Sequence, residues 1–159
     1  MVKLQETLVA LASKKVEFVI IGGVAATLHG SSFATYDLDI CYSRDPPNLS
    51  RLAEALSPLH PMLRDAPSGL PFIWDAETLR QGYNFTLNTD FGAVDLLAEI
   101  PGVGDFQHAM KLSIFVDLFA LRFSVLSLEG LISSKRAARR PKDLLTLPEL
   151  EALREGGER

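Results

Sequence analysis

Apolar residues recur along this chain with two periods that take turns. Leu4, Leu8 and Leu11 stand at helical spacing with Gln, Glu and Lys between them, which predicts an amphipathic helix over about 3–14. Val16 to Ile21 is a short apolar run, β-branched enough to be an interior strand. After Gly22-Gly23, Val24 to His29 reads as a short helix that Gly30-Ser31-Ser32 ends. Asp37 to Tyr42 returns to strand, and Arg44-Asp45-Pro46-Pro47 breaks it. Asn48 or Ser50 is then placed to cap a helix over about 49–57.

Residues 58–82 carry little pattern because Pro58, Pro61, Pro67, Gly69 and Pro71 punctuate them; Phe72 and Trp74 are expected to pack onto the domain, and 75–81 to form a short helix. Tyr83 to Asn88 alternates with period two, Thr89-Asp90-Phe91-Gly92 is a turn, and Ala93 to Leu97 completes a hairpin. Pro101 to Gly104 is a loop, and Lys111–Val116 and Ala120–Val125 read as strands. Ser127 is the N-cap of a helix over 128–139. Pro141 fits the first turn of a last helix over 141–155, with an apolar stripe of Leu144, Leu147, Leu150 and Leu153.

A chain of 159 residues is expected to form one domain over 1–159, with the helices of 128–155 packed on it. The net charge of −4 provides no global field for nucleic acid. No apolar run reaches the ~18 residues a membrane span needs. Cys41 is the only cysteine and lies in an apolar run, so it is expected to be a buried small hydrophobe in a cytoplasmic protein.

The chemistry concentrates between Ile20 and Ile40. In a strand, residues i and i+2 share a face, so Asp37 and Asp39 project together while Leu38 and Ile40 turn to the core. Paired carboxylates repel and are costly to desolvate, and a divalent cation is the commonest reason to keep them. Gly22-Gly23 at a strand–helix junction allows close approach of backbone to a phosphate. Asp95 lies between Val94 and Leu96 on the hairpin's second arm, either solvated or a third carboxylate for the same site. Lys135, Arg136, Arg139, Arg140 and Lys142 are the only basic cluster: a solvated helix face, or charge balance for a triphosphate. His29 at a helix end either packs or meets ligand.

Ile21-Gly22-Gly23, Asp37-Leu38-Asp39-Ile40 and Val94-Asp95-Leu96, in that order, resemble the signature of the polymerase-β-type nucleotidyltransferase superfamily. GGVAATLHG, YNFTLNTDFGAVDLL, LSLEGLISSK and RPKDL further resemble small bacterial nucleotidyltransferase-like proteins related to AbiEii toxins and MNT proteins, over roughly 16–150. The resemblance implies an α/β (α+β) nucleotidyltransferase fold, with a mixed sheet flanked by helices. It implies Mg²⁺ or Mn²⁺ on Asp37, Asp39 and Asp95, which would also be the catalytic residues. It also implies a nucleoside triphosphate (NTP) held by Gly22, Gly23, Thr35, Lys135, Arg140 and Lys142. Relatives of that kind carry Arg at the position of Phe33 and an acid at that of Thr146.

The expected activity is transfer of a nucleoside monophosphate to an acceptor hydroxyl on RNA, a protein or a small molecule. The alternative is a binding module of the same fold, such as a toxin–antitoxin component with a partner protein.

Overall fold

A computed structural model describes residues 1–67 and 69–157. Seven α-helices, one 3₁₀ turn and nine strands lie along the described residues. The N-terminal helix α1 (Leu4–Ser13) buries Leu8 and Leu11, as their spacing requires. Strand β1 (Phe18–Ile21) is buried along its whole length and runs directly into α2 (Gly22–Leu28). Strand β2 (Leu38–Tyr42) follows, then α3 (Pro46–Leu56) and a 3₁₀ turn over Ser57–Leu59. The middle of the chain holds β3 (Met62–Leu63), α4 (Ala76–Gln81), β4 (Phe85–Thr89) and β5 (Gly92–Leu97). A two-residue ladder of β6 (Glu99–Ile100) and β7 (Gly104–Asp105) leads into α5 (Phe106–Lys111). The hairpin β8 (Ser113–Leu118) and β9 (Leu121–Leu126), then α6 (Leu128–Ala138) and α7 (Pro141–Gly157), complete the chain.

The main sheet has the order β3-β4-β5-β2-β1-β9-β8. It is mixed: β2 pairs parallel to β5 and β1 parallel to β9, while β1–β2, β4–β5, β3–β4 and β8–β9 are antiparallel. This is the mixed α+β architecture expected, with helices around a mixed sheet. Leu38, Ile40, Val94 and Leu96 are fully buried on the pleat face opposite the acids. No described helix is long and apolar enough to cross a membrane.

Two local expectations are corrected. Helix α3 begins at Pro46 rather than near 49 because prolines fit the first turn, where an N–H has no partner to lose. Asn48 and Ser50 therefore lie inside the helix and cap nothing. Asn48 is buried and joins two chain segments: it accepts from Glu17 N (2.7 Å) and donates to the carbonyls of Glu17 (3.1 Å) and Ser43 (2.9 Å). Lys111 ends a helix instead of opening a strand, since the Asp105 carboxylate caps α5 by accepting from His108 N (3.2 Å).

Other expectations hold. Cys41 is buried, which pushes its thiol up to about 12 and leaves it unreactive as a thiolate. Trp74 packs on the domain, its indole N–H donating to Ala53 O (2.9 Å).

Candidate active site

Strands β2 and β5 pair in a register that sets Asp39 directly beside Asp95. Neighbours in register on adjacent strands point to one face, so both carboxylates leave the sheet together. Asp37 stands just before β2 and joins them: one guanidinium, that of Arg64, reaches Asp95 Oδ1 at 2.7 Å and Asp37 Oδ2 at 3.6 Å. Burial pushes the Asp39 carboxyl up to about 7; the charge of Asp95, a hydrogen bond to it and the charge of Asp37 add to the effect, and Lys142 opposes it.

Gly22 stands against this cluster. Its φ is +65°, and a Cβ there would overlap the Asp39 carboxylate. The position therefore demands glycine twice over, for its backbone angle and for the space the acid takes. Beside it, the Thr35 side chain covers Gly23 so closely that a Cβ on Gly23 would meet Thr35 Oγ1 and Cβ. Thr35 Oγ1 donates to Asp37 O (3.2 Å), so this threonine shapes the turn into the acidic strand.

Arg64, unremarked by sequence reasoning, lies in the turn after β3. Its Nη2 also donates to Leu87 O (2.7 Å) and its Nε to Asn88 Oδ1 (3.2 Å), so β4 holds the guanidinium against the acids. No local signal marks it, since β3 is two residues long in a stretch without periodicity.

The basic cluster divides. Lys135 Nζ (3.3 Å), Arg140 N (3.0 Å) and Arg140 Nε (2.8 Å) all donate to the carboxylate of Asp143, which is only 1% exposed. Burial alone would raise this carboxyl, but the hydrogen bonds from Arg140 and Lys135 outweigh it and lower it. Lys142 makes no ion pair among the described residues. Arg136 pairs with Glu151 (2.9 Å) on the exposed helix surface, and Arg139 ends α6. His29 packs: its Nε2 hydrogen-bonds the Leu126 carbonyl (2.8 Å), which can only accept, so that nitrogen carries the proton.

Two cavities meet at the acids and share Gly22, Asp39, Lys135, Arg140 and Lys142. The first, about 470 Å³, extends along Gly23, Phe33, Tyr36, Leu145 and Thr146. The second, about 420 Å³, is walled by Asp95, Leu97, Ile100, Pro101 and Leu131. A groove of about 560 Å³ lies elsewhere, along Phe18, Phe106, Met110 and Phe123, but its only acid is Glu17 and nothing in it converges on a reacting centre.

Asp37 and Asp39 supply the hard oxygens that Mg²⁺ takes, and Mg²⁺ commonly uses one or two carboxylates plus substrate phosphates. The acids do not form a closed cage by themselves: among the described residues no three His, Cys, Asp or Glu stand ready to hold a metal ion. Arg64 lies between Asp95 and Asp37, 2.7 Å from one carboxylate and 3.6 Å from the other.

The overall architecture matches that of the candidate nucleotidyltransferase TM1012 from Thermotoga maritima, with a TM-score of 0.55 at 19% identity, over 100% of this chain and 97% of that one. The chain has a nucleotidyltransferase fold. No protein-family model and no curated protein matches it.

Proposed function

We propose that this chain is a Mg²⁺- or Mn²⁺-dependent nucleotidyltransferase that moves a nucleoside monophosphate from an NTP to an acceptor hydroxyl. The observation that carries this reading is the juxtaposition of Asp39 and Asp95 in register, against Gly22, where two cavities meet. The first cavity suits the nucleotide. Phe33 and Tyr36 offer faces for a base, Lys142 and Lys135 offset phosphate charge, and the absence of a Cβ at Gly22 lets the Asp39 carboxylate stand against the backbone at the cavity wall. The second cavity brings an acceptor to Asp95.

Asp37 and Asp39 would hold the cation, which supplies Lewis-acid stabilisation of phosphate charge when bound. The acceptor oxygen bonds to the α-phosphorus, the bond from that phosphorus to the bridging oxygen breaks, and pyrophosphate leaves. The hydroxyl proton passes to a carboxylate oxygen of Asp95. Lys135, Lys142 and Arg140 favour the departing anion.

The second reading is a nucleotide- or partner-binding module without turnover, as in a toxin–antitoxin component akin to AbiEii or MNT proteins. It is favoured by Phe33, which carries no charge toward phosphate, and by Asp143, which already engages Lys135 and Arg140. Calorimetric titration with ATP and GTP, with and without Mg²⁺, tests the first reading. Binding that requires Mg²⁺ and is lost in Asp39→Asn supports it. Equal binding by wild type and Asp39→Asn contradicts it.

A further inference from the structure

The carboxylate cluster already contains a cation. The Arg64 guanidinium is 21% exposed and fixed by the Leu87 carbonyl (2.7 Å) and the Asn88 side chain (3.2 Å). Its backbone N–H is itself tied to Thr86 O (2.8 Å). The remaining N–H groups point at Asp95 Oδ1 (2.7 Å) and Asp37 Oδ2 (3.6 Å). A planar fork anchored at one edge and spanning two carboxylates with the other is a built arrangement, unlike a flexible surface pair. It also acts asymmetrically. Arg64 holds Asp95 closely and Asp37 loosely, and forms no ion pair with Asp39.

We propose that Arg64 is a positioning residue that stands in for one of two divalent cations: it occupies the Asp95 side of the cluster, so that the centre takes a single metal ion on Asp37 and Asp39. This deepens the nucleotidyltransferase reading and rests on it. Arg64 fixes the direction of the Asp95 carboxylate for the acceptor, and any ion approaching Asp95 competes with the guanidinium for the same oxygen. The guanidinium belongs to the chain itself, so the device is permanent and independent of metal supply. It also removes part of the like-charge repulsion that the three acids would otherwise suffer in the metal-free protein.

The test is Mn²⁺ titration by electron paramagnetic resonance and calorimetry on wild type, Arg64→Ala, Arg64→Lys and Asp39→Asn, each first shown to be folded by circular dichroism. The expected result is one Mn²⁺ in wild type. Arg64→Ala should gain a second ion or bind the first about tenfold more tightly, as removal of a nearby positive charge predicts. Arg64→Lys keeps the charge but not the fork, should fold if the alanine variant does not, and should fall between the two. Free guanidinium ion at non-denaturing concentration should weaken Mn²⁺ binding to Arg64→Ala toward the wild-type value, an effect a purely structural role would not produce.

Identical stoichiometry and affinity in wild type, Arg64→Ala and Arg64→Lys, with binding lost in Asp39→Asn, would overturn the Arg64 proposal and leave the metal-site reading standing. Two ions already bound in wild type would overturn it as well. Absence of Mn²⁺ binding from every variant would overturn both.

Discussion

Asp39 and Asp95 lie side by side, paired in register on adjacent parallel strands. With burial and the charge of Asp37, this raises Asp39 from 3.8 to about 7. The native state therefore holds a proton there that the unfolded chain releases. The stability from that proton is complete below the unfolded value of 3.8 and is lost as pH rises through about 7. Metal-free protein should thus lose stability between pH 4 and 7 from this group, by up to about 4 kcal/mol. Asp39→Asn should abolish that slope and melt higher than wild type at pH 8. Thermal melts of both proteins across this range in a chelator check it; parallel curves would contradict the assignment.

Asp143 has the opposite sign. Its carboxyl is lowered by Arg140 and Lys135 despite burial, so its stabilising effect is present above the unfolded value of 3.8 and fades as pH falls through the lowered folded value. Asp143→Asn removes the shared negative charge and replaces one accepting oxygen with an NH₂ donor facing the two cations, and should cost about 1–3 kcal/mol at neutral pH. Chemical denaturation at pH 7 and pH 3 should show that deficit shrinking in acid.

Gly22→Ala should damage both fold and site. The residue would be strained at φ +65°, and its Cβ would push into the Asp39 carboxylate. A loss of about 1–3 kcal/mol is expected from the backbone alone. Gly156→Ala, where an added Cβ meets nothing within 4 Å, is the control and should change little. Denaturant midpoints of the two variants make the comparison.

Phe33 is 41% exposed and lines the cavity beside Gly23 and Lys135, so it is available to ligand rather than core. Phe33→Arg should tighten NTP binding about tenfold or more, since a charge-assisted hydrogen bond contributes roughly 1.5–3 kcal/mol. Titration of both proteins with ATP in Mg²⁺ measures it, and unchanged affinity would show that phosphate does not reach this loop.

The elements that frame the site were legible because each carries its own period. Phe18–Ile21 is apolar throughout and is buried on both faces as β1; Asp37 to Ile40 alternates, and from Leu38 on it emerges as β2, with Asp39 in the strand and Asp37 just before it. The side-by-side placement of Asp39 and Asp95 was not contained in either segment. It comes from the parallel pairing of β2 with β5, a contact between segments that the chain's order does not specify. Arg64 was invisible for a related reason, because its role depends on a two-residue strand pairing with β4. The turn between β8 and β9 was also obscure: Phe119 and Ala120 adopt φ of 55° and 62°, angles for which Gly or Asn would have been the signal. The split of the basic cluster needed Asp143 to be buried beneath it, which an exposed-looking Lys-Asp pair in sequence does not reveal.

The most direct measurement is transfer itself. Pure protein is incubated with each α-³²P-labelled NTP, Mg²⁺ and a bacterial extract as the source of acceptor, alongside Asp39→Asn and Asp95→Asn. Wild type should join label to an acceptor with release of pyrophosphate, and each variant should lose both. Folded wild type that binds Mg²⁺ and NTP yet transfers no label, or transfer equal in wild type and Asp39→Asn, would contradict the nucleotidyltransferase reading.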